Sequence, residues 1–238
     1  MVYIERIIRK MNQGQTGPYL CVGDDDNQYI VKGPNTTYQG LIHEWVCGKL
    51  GKAIGLPVPH FDIAYVDGSL LEYGRYELSE GYWFASRYEE NIQDVPYQRL
   101  ADLDVNGLKL LFLFDYWIKN GDRNLTEHGG NPNLFIRSDL RSFIVLDHNL
   151  AFDPDYEDNF HNLKNLHVGS SAWFSEQRSL FDPNTYEELL ERCFSELNLI
   201  IDSVPEEWVE SCAENGVFED IRVTLSRFRT QAFWEGIR

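Results

Sequence analysis

Three polar residues in the middle of the chain have the types and the order that phosphoryl transfer requires. Asp122 lies in a predicted loop, Asn133 opens a short apolar run, and Asp147 ends the next apolar run. In such sites one carboxylate orients or deprotonates the acceptor hydroxyl, while an amide oxygen and a second carboxylate hold magnesium against the nucleotide phosphates. The pattern predicts a catalytic Asp122 and a magnesium site at Asn133 and Asp147.

The spacing of the two predicted metal ligands fits a β-hairpin. Apolar runs at 134–136 and 143–146 lie between Asn133 and Asp147 and are separated by a polar turn. The outer ends of an antiparallel hairpin are neighbours, so both oxygen donors can reach one hard cation. Asp and Asn are also common turn residues, and the alternative interpretation is that these residues belong to loops without a ligand.

A pair of charged residues lies in the N-terminal part of the chain. Lys32 ends an apolar, strand-like run, and Glu44 follows on a predicted helix. A strand lysine paired with a helix glutamate is the arrangement that kinases use to hold the α- and β-phosphates. The pairing orients the cation and gives it a partner if it is buried. The alternative is an exposed lysine with no relation to the glutamate.

Glycines just before the first predicted hairpin are suited to phosphate contact. Gly14 and Gly17, with Thr16 between them, precede the strand-like run at 19–22. Glycine lets backbone N–H groups approach phosphate oxygens, and the threonine hydroxyl adds a further donor. The segment matches neither the P-loop pattern nor GxGxxG, so a plain turn before a strand explains it equally well.

Hydrophobic periodicity divides the chain into a strand-rich first part and a helix-rich second part. The two parts join near 87–95, and we expect an α+β chain of two lobes, at 1–90 and 91–238, with a cleft between them. Strands are predicted at 19–22, 28–32, 61–66 and 82–86 with a helix at 38–54, and further helices at 107–119, 184–202, 205–213 and 218–234.

Composition and charge argue against several classes of protein. Hydrophobic residues make up 43% of the 238 residues, which predicts a folded globular protein. The formal net charge of −17 argues against a nucleic-acid-binding surface and against docking on anionic membrane. Four scattered cysteines show no zinc or disulfide pattern, and no signal peptide or membrane-spanning run is recognisable. We therefore expect a cytoplasmic protein with free thiols.

These motifs resemble those of the HipA-like kinase family, a distant relative of protein kinases and phosphatidylinositol kinases. The resemblance implies a two-lobed, protein-kinase-like fold and an enzyme that uses ATP and magnesium. It rests on GQTGP at 14–18, YIVKGP at 29–34 with Glu44, GLPVP at 55–59, GDRN at 121–124, NPNLF at 131–135 and LDHNLAF at 146–152.

The resemblance also implies roles for individual residues. These roles are phosphate contact, catalysis, metal binding and contact with adenine. They fall on Lys32 with its partner Glu44, on Asp122 as base, on Asn133 and Asp147 as metal ligands, and on Ala85 and Ser86 near the adenine-contacting hinge.

Three departures from the protein-kinase pattern affect these expectations. The interval from Asp122 to Asn133 is longer, which indicates an inserted turn at 126–130 and leaves Asn131 as an alternative metal ligand. The position of the DFG motif reads Asp147-His148-Asn149, and no segment resembles the APE motif. The activation mechanism and the peptide-docking mode of protein kinases therefore cannot be transferred to this sequence.

The function that these features imply is transfer of the γ-phosphate of ATP to a hydroxyl, with a Ser or Thr of a protein as the acceptor that the resemblance suggests. Two enzymatic alternatives keep the fold: a kinase acting on a small molecule or lipid, and a nucleotidyl transferase. A third alternative is a pseudokinase module that binds nucleotide without turnover. A protein substrate and an antitoxin-like regulatory partner are the macromolecular partners that the family implies.

Overall fold

A closed barrel of five strands forms the N-terminal lobe in the computed structural model, which describes residues 1–11, 16–72, 74–139, 142–175 and 183–238. The strands are β1 (Val2–Lys10), β2 (Tyr19–Gly23), β3 (Gln28–Lys32), β4 (Phe61–Val66) and β5 (Gly81–Arg87). They pair in the order β1-β2-β3-β5-β4, and β4 returns to β1. The β1–β4 pair is parallel, whereas the other neighbours are antiparallel.

The hairpin between β2 and β3 places Lys32 at the end of a barrel strand. In its turn, the Asp25 carboxylate accepts hydrogen bonds from Asn27 N at 3.1 Å and from the Tyr29 hydroxyl at 2.8 Å. These local bonds favour one turn geometry and therefore one register. In that register Lys32 lies opposite Phe84 of β5.

One long helix, α1 (Tyr38–Ile54), carries Glu44 and contacts both the barrel and the C-terminal helices. It begins after Thr37, whose hydroxyl accepts a hydrogen bond from Gly40 N at 3.1 Å. It ends at Gly55, whose φ of 100° is a left-handed conformation that glycine adopts without penalty. Nearly every face of α1 is buried, so Glu44 is only 2% exposed.

Two small sheets at the start of the C-terminal lobe carry the polar motif. The strands β6 (Gln93–Asp94), β9 (Leu134–Ile136) and β10 (Phe143–Val145) form one sheet, and β7 (Asn124–Thr126) pairs with β8 (Gly129–Asn131). Leu134 lies opposite Val145, and Leu146 N donates to Asn133 O at 3.2 Å. The β9–β10 hairpin therefore places Asn133 beside the segment that leads into Asp147.

Helices form the rest of the C-terminal lobe. At its centre, α2 (Val105–Trp117) buries Leu111, Phe114 and Trp117 completely. None of the described helices combines the length and apolar character that crossing a membrane demands. The helices that follow β10 are α3 (Tyr156–Leu166), α4 (Ser170–Phe174), α5 (Pro183–Ser195), α6 (Leu197–Asp202), α7 (Glu206–Ser211), α8 (Val217–Ser226) and α9 (Gln231–Gly236).

The predicted α+β division into a strand-rich lobe and a helix-rich lobe is confirmed, whereas the boundary between residues 90 and 91 stays a prediction. The single helices predicted at 184–202 and 218–234 are each divided in the structure, into α5 and α6 and into α8 and α9. The sequence pattern does not predict β1, because register shifts after Ile4 and Ile7 interrupt the alternation that identifies a strand.

Candidate active site

Lys32 lies between two carboxylates that come from different lobes. Its Nζ donates a hydrogen bond to Glu44 Oε1 of α1 and another, at 2.8 Å, to Asp147 Oδ1 just after β10. The Lys32 side chain is 12% exposed and that of Glu44 is 3% exposed. The structure therefore brings Lys32 and Glu44 together, as the sequence predicts, and adds Asp147 to the pair.

The three ionisable side chains of this cluster shift one another's pKa values. Burial opposes the charge of Lys32, but the Glu44 and Asp147 carboxylates raise the lysine pKa above its ordinary value. Burial also opposes the charge of Asp147, but the Lys32 ammonium holds the pKa of that carboxyl below its ordinary value. Burial raises the pKa of Glu44 against the opposing effect of Lys32. At neutral pH, Lys32 is a cation and Asp147 an anion.

Asp122 lies in the loop between α2 and β7, and both of its described side-chain hydrogen bonds reach the same oxygen. Asp122 Oδ2 accepts from Asn131 Nδ2 at 2.6 Å and from Asn133 Nδ2 at 3.1 Å. Among the described residues no hydrogen bond reaches Oδ1. Burial and the charge of Asp147 raise the pKa of Asp122, whereas the two amides and Arg123 oppose this shift.

The two candidate amide ligands occupy different positions. Asn133 lies next to the segment that ends in Asp147, since its carbonyl accepts from Leu146 N. Asn131 ends β8, pairs with Asn124 and is exposed. Both asparagines contact Asp122, but the backbone pairing favours Asn133 over Asn131 as the residue that shares a cation with Asp147.

The backbone at both predicted metal ligands is unusual. Asn133 has a φ of 42° and Asp147 has a φ of 64°. Side chains other than glycine rarely adopt this left-handed conformation, although Asn and Asp do so more readily than most. Such a conformation persists only where surrounding contacts hold it, and each instance costs on the order of 1–3 kcal/mol. The two oxygen donors are therefore presented by a backbone that other contacts constrain.

A buried ion pair beneath Asp122 lies outside the pattern of candidate residues taken from the sequence. Arg123 Nε donates to Asp115 Oδ2 of α2 at 2.7 Å, and neither side chain reaches solvent. His167 Nε2 contacts the same oxygen at 2.8 Å. One signal in the sequence pointed to it: Asp115 is an acid inside a strongly apolar helix, and a buried acid needs a partner.

The residues predicted for phosphate-loop contact lie between β1 and β2. Gly14 falls outside the described residues. Gly17 has a φ of 57°, and a Cβ there would lie 2.6 Å from Lys10 Cε. Among the described residues no hydrogen bond links Thr16 or Gly17 to Lys32, so their contact with phosphate stays a prediction.

The residues predicted near the hinge lie toward the C-terminal end of the barrel strand β5. Ala85 and Ser86 of β5 are paired with Val31 and Ile30 of β3 and directly follow Phe84, the partner of Lys32. Ala85 is buried and Ser86 is partly exposed. The register places both within two positions of the Lys32 pairing, and their contact with adenine stays a prediction.

The donors near Asp147 fit magnesium held jointly with a nucleotide. Carboxylate and amide oxygens are the hard ligands that magnesium prefers, and Asp147 is kept ionised. The described residues contain no group of three or more His, Cys, Asp or Glu side chains able to hold a metal by themselves. Magnesium is usually bound through one or two carboxylates together with substrate phosphates, so this sparse set agrees with such a site.

Comparisons with solved structures show which proteins this chain resembles in its fold. The crystal structure of CtkA, a proinflammatory kinase of Helicobacter pylori, is similar at a TM-score of 0.55 and 11% identity, covering 97% of this chain and 94% of that one. The Golgi casein kinase with Mn/ADP bound has a TM-score of 0.48 and 12% identity, covering 96% of this chain and 72% of that one. The likeness to CtkA shows the protein-kinase-like fold.

Sequence comparisons add the family. No curated protein matches the chain. The family model described as HipA-like kinase matches residues 4–237, which is nearly the whole sequence. Together with the kinase-like fold and the Lys32–Glu44–Asp147 cluster, this match has one consequence: the chain belongs to the HipA-like kinase family and is a phosphotransferase of the kinase type.

Proposed function

We propose that the protein transfers the γ-phosphate of ATP, with magnesium, to the hydroxyl of a Ser or Thr in a protein substrate. The observation that carries the proposal is the pair of hydrogen bonds from Lys32 Nζ to Glu44 and Asp147. It joins a phosphate-binding cation, its orienting partner and a metal-binding carboxylate from both lobes in one buried cluster. A protein that only binds nucleotide has no chemical need for this set together with Asp122.

Lys32 supplies positive charge to the α- and β-phosphates, and Glu44 keeps its ammonium in place. Because both side chains are buried, the charge of Lys32 acts through a medium that screens less than water does. The lysine therefore offsets negative charge on the phosphates in a fixed position, without reorganisation during the reaction.

Asp122 is proposed as the base. Oδ2 is held by Asn131 and Asn133, which leaves Oδ1 to accept the proton of the acceptor hydroxyl. The hydroxyl oxygen forms a bond to the γ-phosphorus, the bond from that phosphorus to the bridging oxygen breaks, and ADP leaves. The raised pKa of Asp122 suits proton acceptance, because a stronger base has a larger driving force for it.

Asn133 and Asp147 are proposed to hold magnesium, which neutralises charge on the β- and γ-phosphates when bound. Asp147 remains ionised beside Lys32, and the backbone pairing brings Asn133 next to it. Asn131 is assigned the different task of orienting Asp122. The adenine contact near Ala85 and Ser86 and the phosphate contact at Gly14, Thr16 and Gly17 remain parts of the proposal that rest on the family resemblance.

The Asp122 carboxylate suits an alcohol acceptor in general, and the choice of a protein Ser or Thr rests on the family resemblance. The experiment incubates the protein with γ-labelled ATP, magnesium and a cell lysate, followed by phosphoamino acid analysis of the labelled proteins. Asp122→Ala is the negative control. Label on phosphoserine or phosphothreonine that disappears in the variant supports the proposal.

The same assay repeated with α-labelled ATP, together with a thermal-shift measurement with ATP and magnesium, identifies the alternatives. Label in small molecules or lipids alone would replace the protein acceptor, and label transferred only from α-labelled ATP would indicate a nucleotidyl transferase. ATP-dependent thermal stabilisation without any transfer would indicate a pseudokinase. An antitoxin-like partner stays a prediction of family membership.

A further inference from the structure

The Arg123 guanidinium lies directly beneath the proposed metal ligands. Its Nη1 donates to the carbonyls of Asn133 at 2.5 Å and Leu146 at 3.1 Å, and its Nη2 contacts the carbonyl of Asp147 at 3.4 Å. Nη1 also contacts Pro132 O at 3.2 Å. One side chain thus joins the two chain segments that end in the proposed ligands.

These bonds reach two residues with a strained backbone, and both are proposed metal ligands. Asn133 and Asp147 both have positive φ, and Arg123 binds the carbonyl oxygen of each. A peptide carbonyl turns with the ψ and φ angles around it, so a donor fixed against it restricts the backbone conformation. Arg123 is also the chain neighbour of Asp122 and so restrains the proposed base.

Arg123 is itself held in one orientation. Its Nε donates to Asp115 Oδ2, and Asn120 Nδ2 donates to Asp115 Oδ1 at 2.9 Å. His167 Nδ1 accepts from Gly169 N at 2.9 Å, so its proton lies on Nε2, which donates to Asp115 Oδ2 at 2.8 Å. The Asp115 carboxylate is therefore satisfied on both oxygens and is a rigid anchor on α2.

We propose that Arg123 is a positioning residue for magnesium, which sets the distance and direction of the Asn133 and Asp147 oxygens through their backbone carbonyls. This inference rests on the proposed function, since it concerns the same metal. A planar, forked guanidinium can bind several carbonyls at once, whereas a lysine ammonium at the same place is a single point charge on a flexible stem. Residues that orient metal ligands typically change metal affinity by roughly 10–100-fold when substituted.

The test is Arg123→Lys, which retains the charge and removes the fork. Magnesium is titrated at a saturating concentration of a non-hydrolysable ATP analogue, and binding is followed by calorimetry. The apparent magnesium affinity of the variant should fall roughly 10–100-fold. Its affinity for the same analogue without magnesium should stay within about twofold of the wild type, because Lys32 and Glu44 are unchanged. A general loosening of the site would weaken both affinities.

Arg227→Lys is the matched control. Arg227 Nη2 also donates to backbone carbonyls, those of Tyr116 at 2.9 Å and Trp117 at 3.3 Å at the end of α2. The same substitution there removes bonds of the same kind, but from the end of α2 and not from the proposed metal ligands. It should lower thermal stability and leave the magnesium affinity at the wild-type value.

Asp115→Asn is a second variant that tests the same proposal if Arg123→Lys does not fold. It preserves the volume of the anchor and removes its charge, and it should shift the magnesium affinity in the same direction by a smaller factor. A folded Arg123→Lys or Asp115→Asn protein with wild-type magnesium affinity would overturn the role proposed for Arg123 and would leave the proposed function unaffected. Wild-type protein that binds the analogue with no dependence on magnesium would overturn the proposed function and this inference together.

Discussion

Lys32 and Asp147 are 115 positions apart in the sequence, yet Lys32 Nζ lies 2.8 Å from Asp147 Oδ1. The first residue ends a barrel strand and the second follows a strand of the C-terminal lobe, so this ion pair connects the two lobes. Glu44 completes the cluster from α1. The nucleotide phosphates and magnesium therefore have their proposed protein partners in a single small volume.

Lys32→Met should reduce kcat/KM for ATP on the order of 10²-fold, because a fixed cation beside the transferring phosphoryl group is lost. The measurement is steady-state phosphoryl transfer at saturating magnesium. Lys49→Met, on the same lobe, is the control, since the Lys49 ammonium lies over the rings of Trp45 and Phe61. Equal activity of the Lys32 and Lys49 variants would remove Lys32 from the site.

Substitution of the two asparagines should separate their roles. Asn133→Ala should raise the magnesium concentration required for half-maximal activity by roughly 100-fold, since a ligand is lost. Asn131→Ala should lower kcat and leave that magnesium concentration unchanged, because Asn131 acts through Asp122. Magnesium titrations of both variants at saturating ATP provide the comparison, and the reverse pattern would make Asn131 the ligand.

The pH dependence of the reaction should show the raised pKa of Asp122. Because the base acts in its ionised form, kcat/KM should rise with pH through a pKa above that of an ordinary aspartate. The Asn131 amide stabilises the ionised form, so Asn131→Ala should move this acidic limb to higher pH. The measurement is the pH profile of kcat/KM for both proteins at saturating magnesium. An acidic limb that is unchanged in Asn131→Ala, or that moves to lower pH, would contradict the assignment of Asp122 as the base.

The stability of the fold should fall with acid because His43 is buried in its neutral form. Burial lowers the pKa of His43 to about 4, while its Nδ1 contacts Asn149 O at 3.2 Å. The folded pKa lies below the ordinary value of 6.5, so the unfolded chain binds the proton first. The contribution of His43 to the free energy of unfolding is complete above about pH 6.5 and decreases by about 3 kcal/mol as pH falls to about 4.

His43→Gln should therefore flatten this part of the profile. Urea midpoints measured between pH 7 and pH 4 should decrease less in the variant than in the wild type, although the variant is less stable at neutral pH. His148, whose pKa burial lowers to about 3, contributes in the same direction in both proteins. The same decrease in both proteins would show that His43 does not carry the effect.

The residues that can be predicted from the sequence are those that occur in short motifs at the ends of strands or on a helix. Lys32 at the end of a strand, Glu44 on a helix and Asp147 after a hairpin are identifiable from apolar patterning and order. The turn predicted at 126–130 is the tip of the β7–β8 hairpin. This hairpin explains why Asp122 and Asn133 are so far apart in the sequence and still bonded.

The remaining features depend on tertiary packing. No spacing rule links Asp115 to Arg123 and His167, because their contact follows from how α2 lies against the loop and the segment after α3. The separate roles proposed for Asn131 and Asn133 also depend on the strand register, since both asparagines suit a metal by residue type. The closure of the barrel through β1 could not be predicted, because the irregular register of β1 interrupts the alternation that identifies a strand.

The most direct test of the proposed reaction compares γ-labelled and α-labelled ATP in the same transfer assay with magnesium. Wild-type protein should transfer the γ label and not the α label. Asp122→Asn should lose transfer while keeping magnesium-dependent stabilisation by ATP, because Lys32, Glu44 and Asp147 remain. Transfer of the α label, or undiminished transfer of the γ label by Asp122→Asn, would contradict the account.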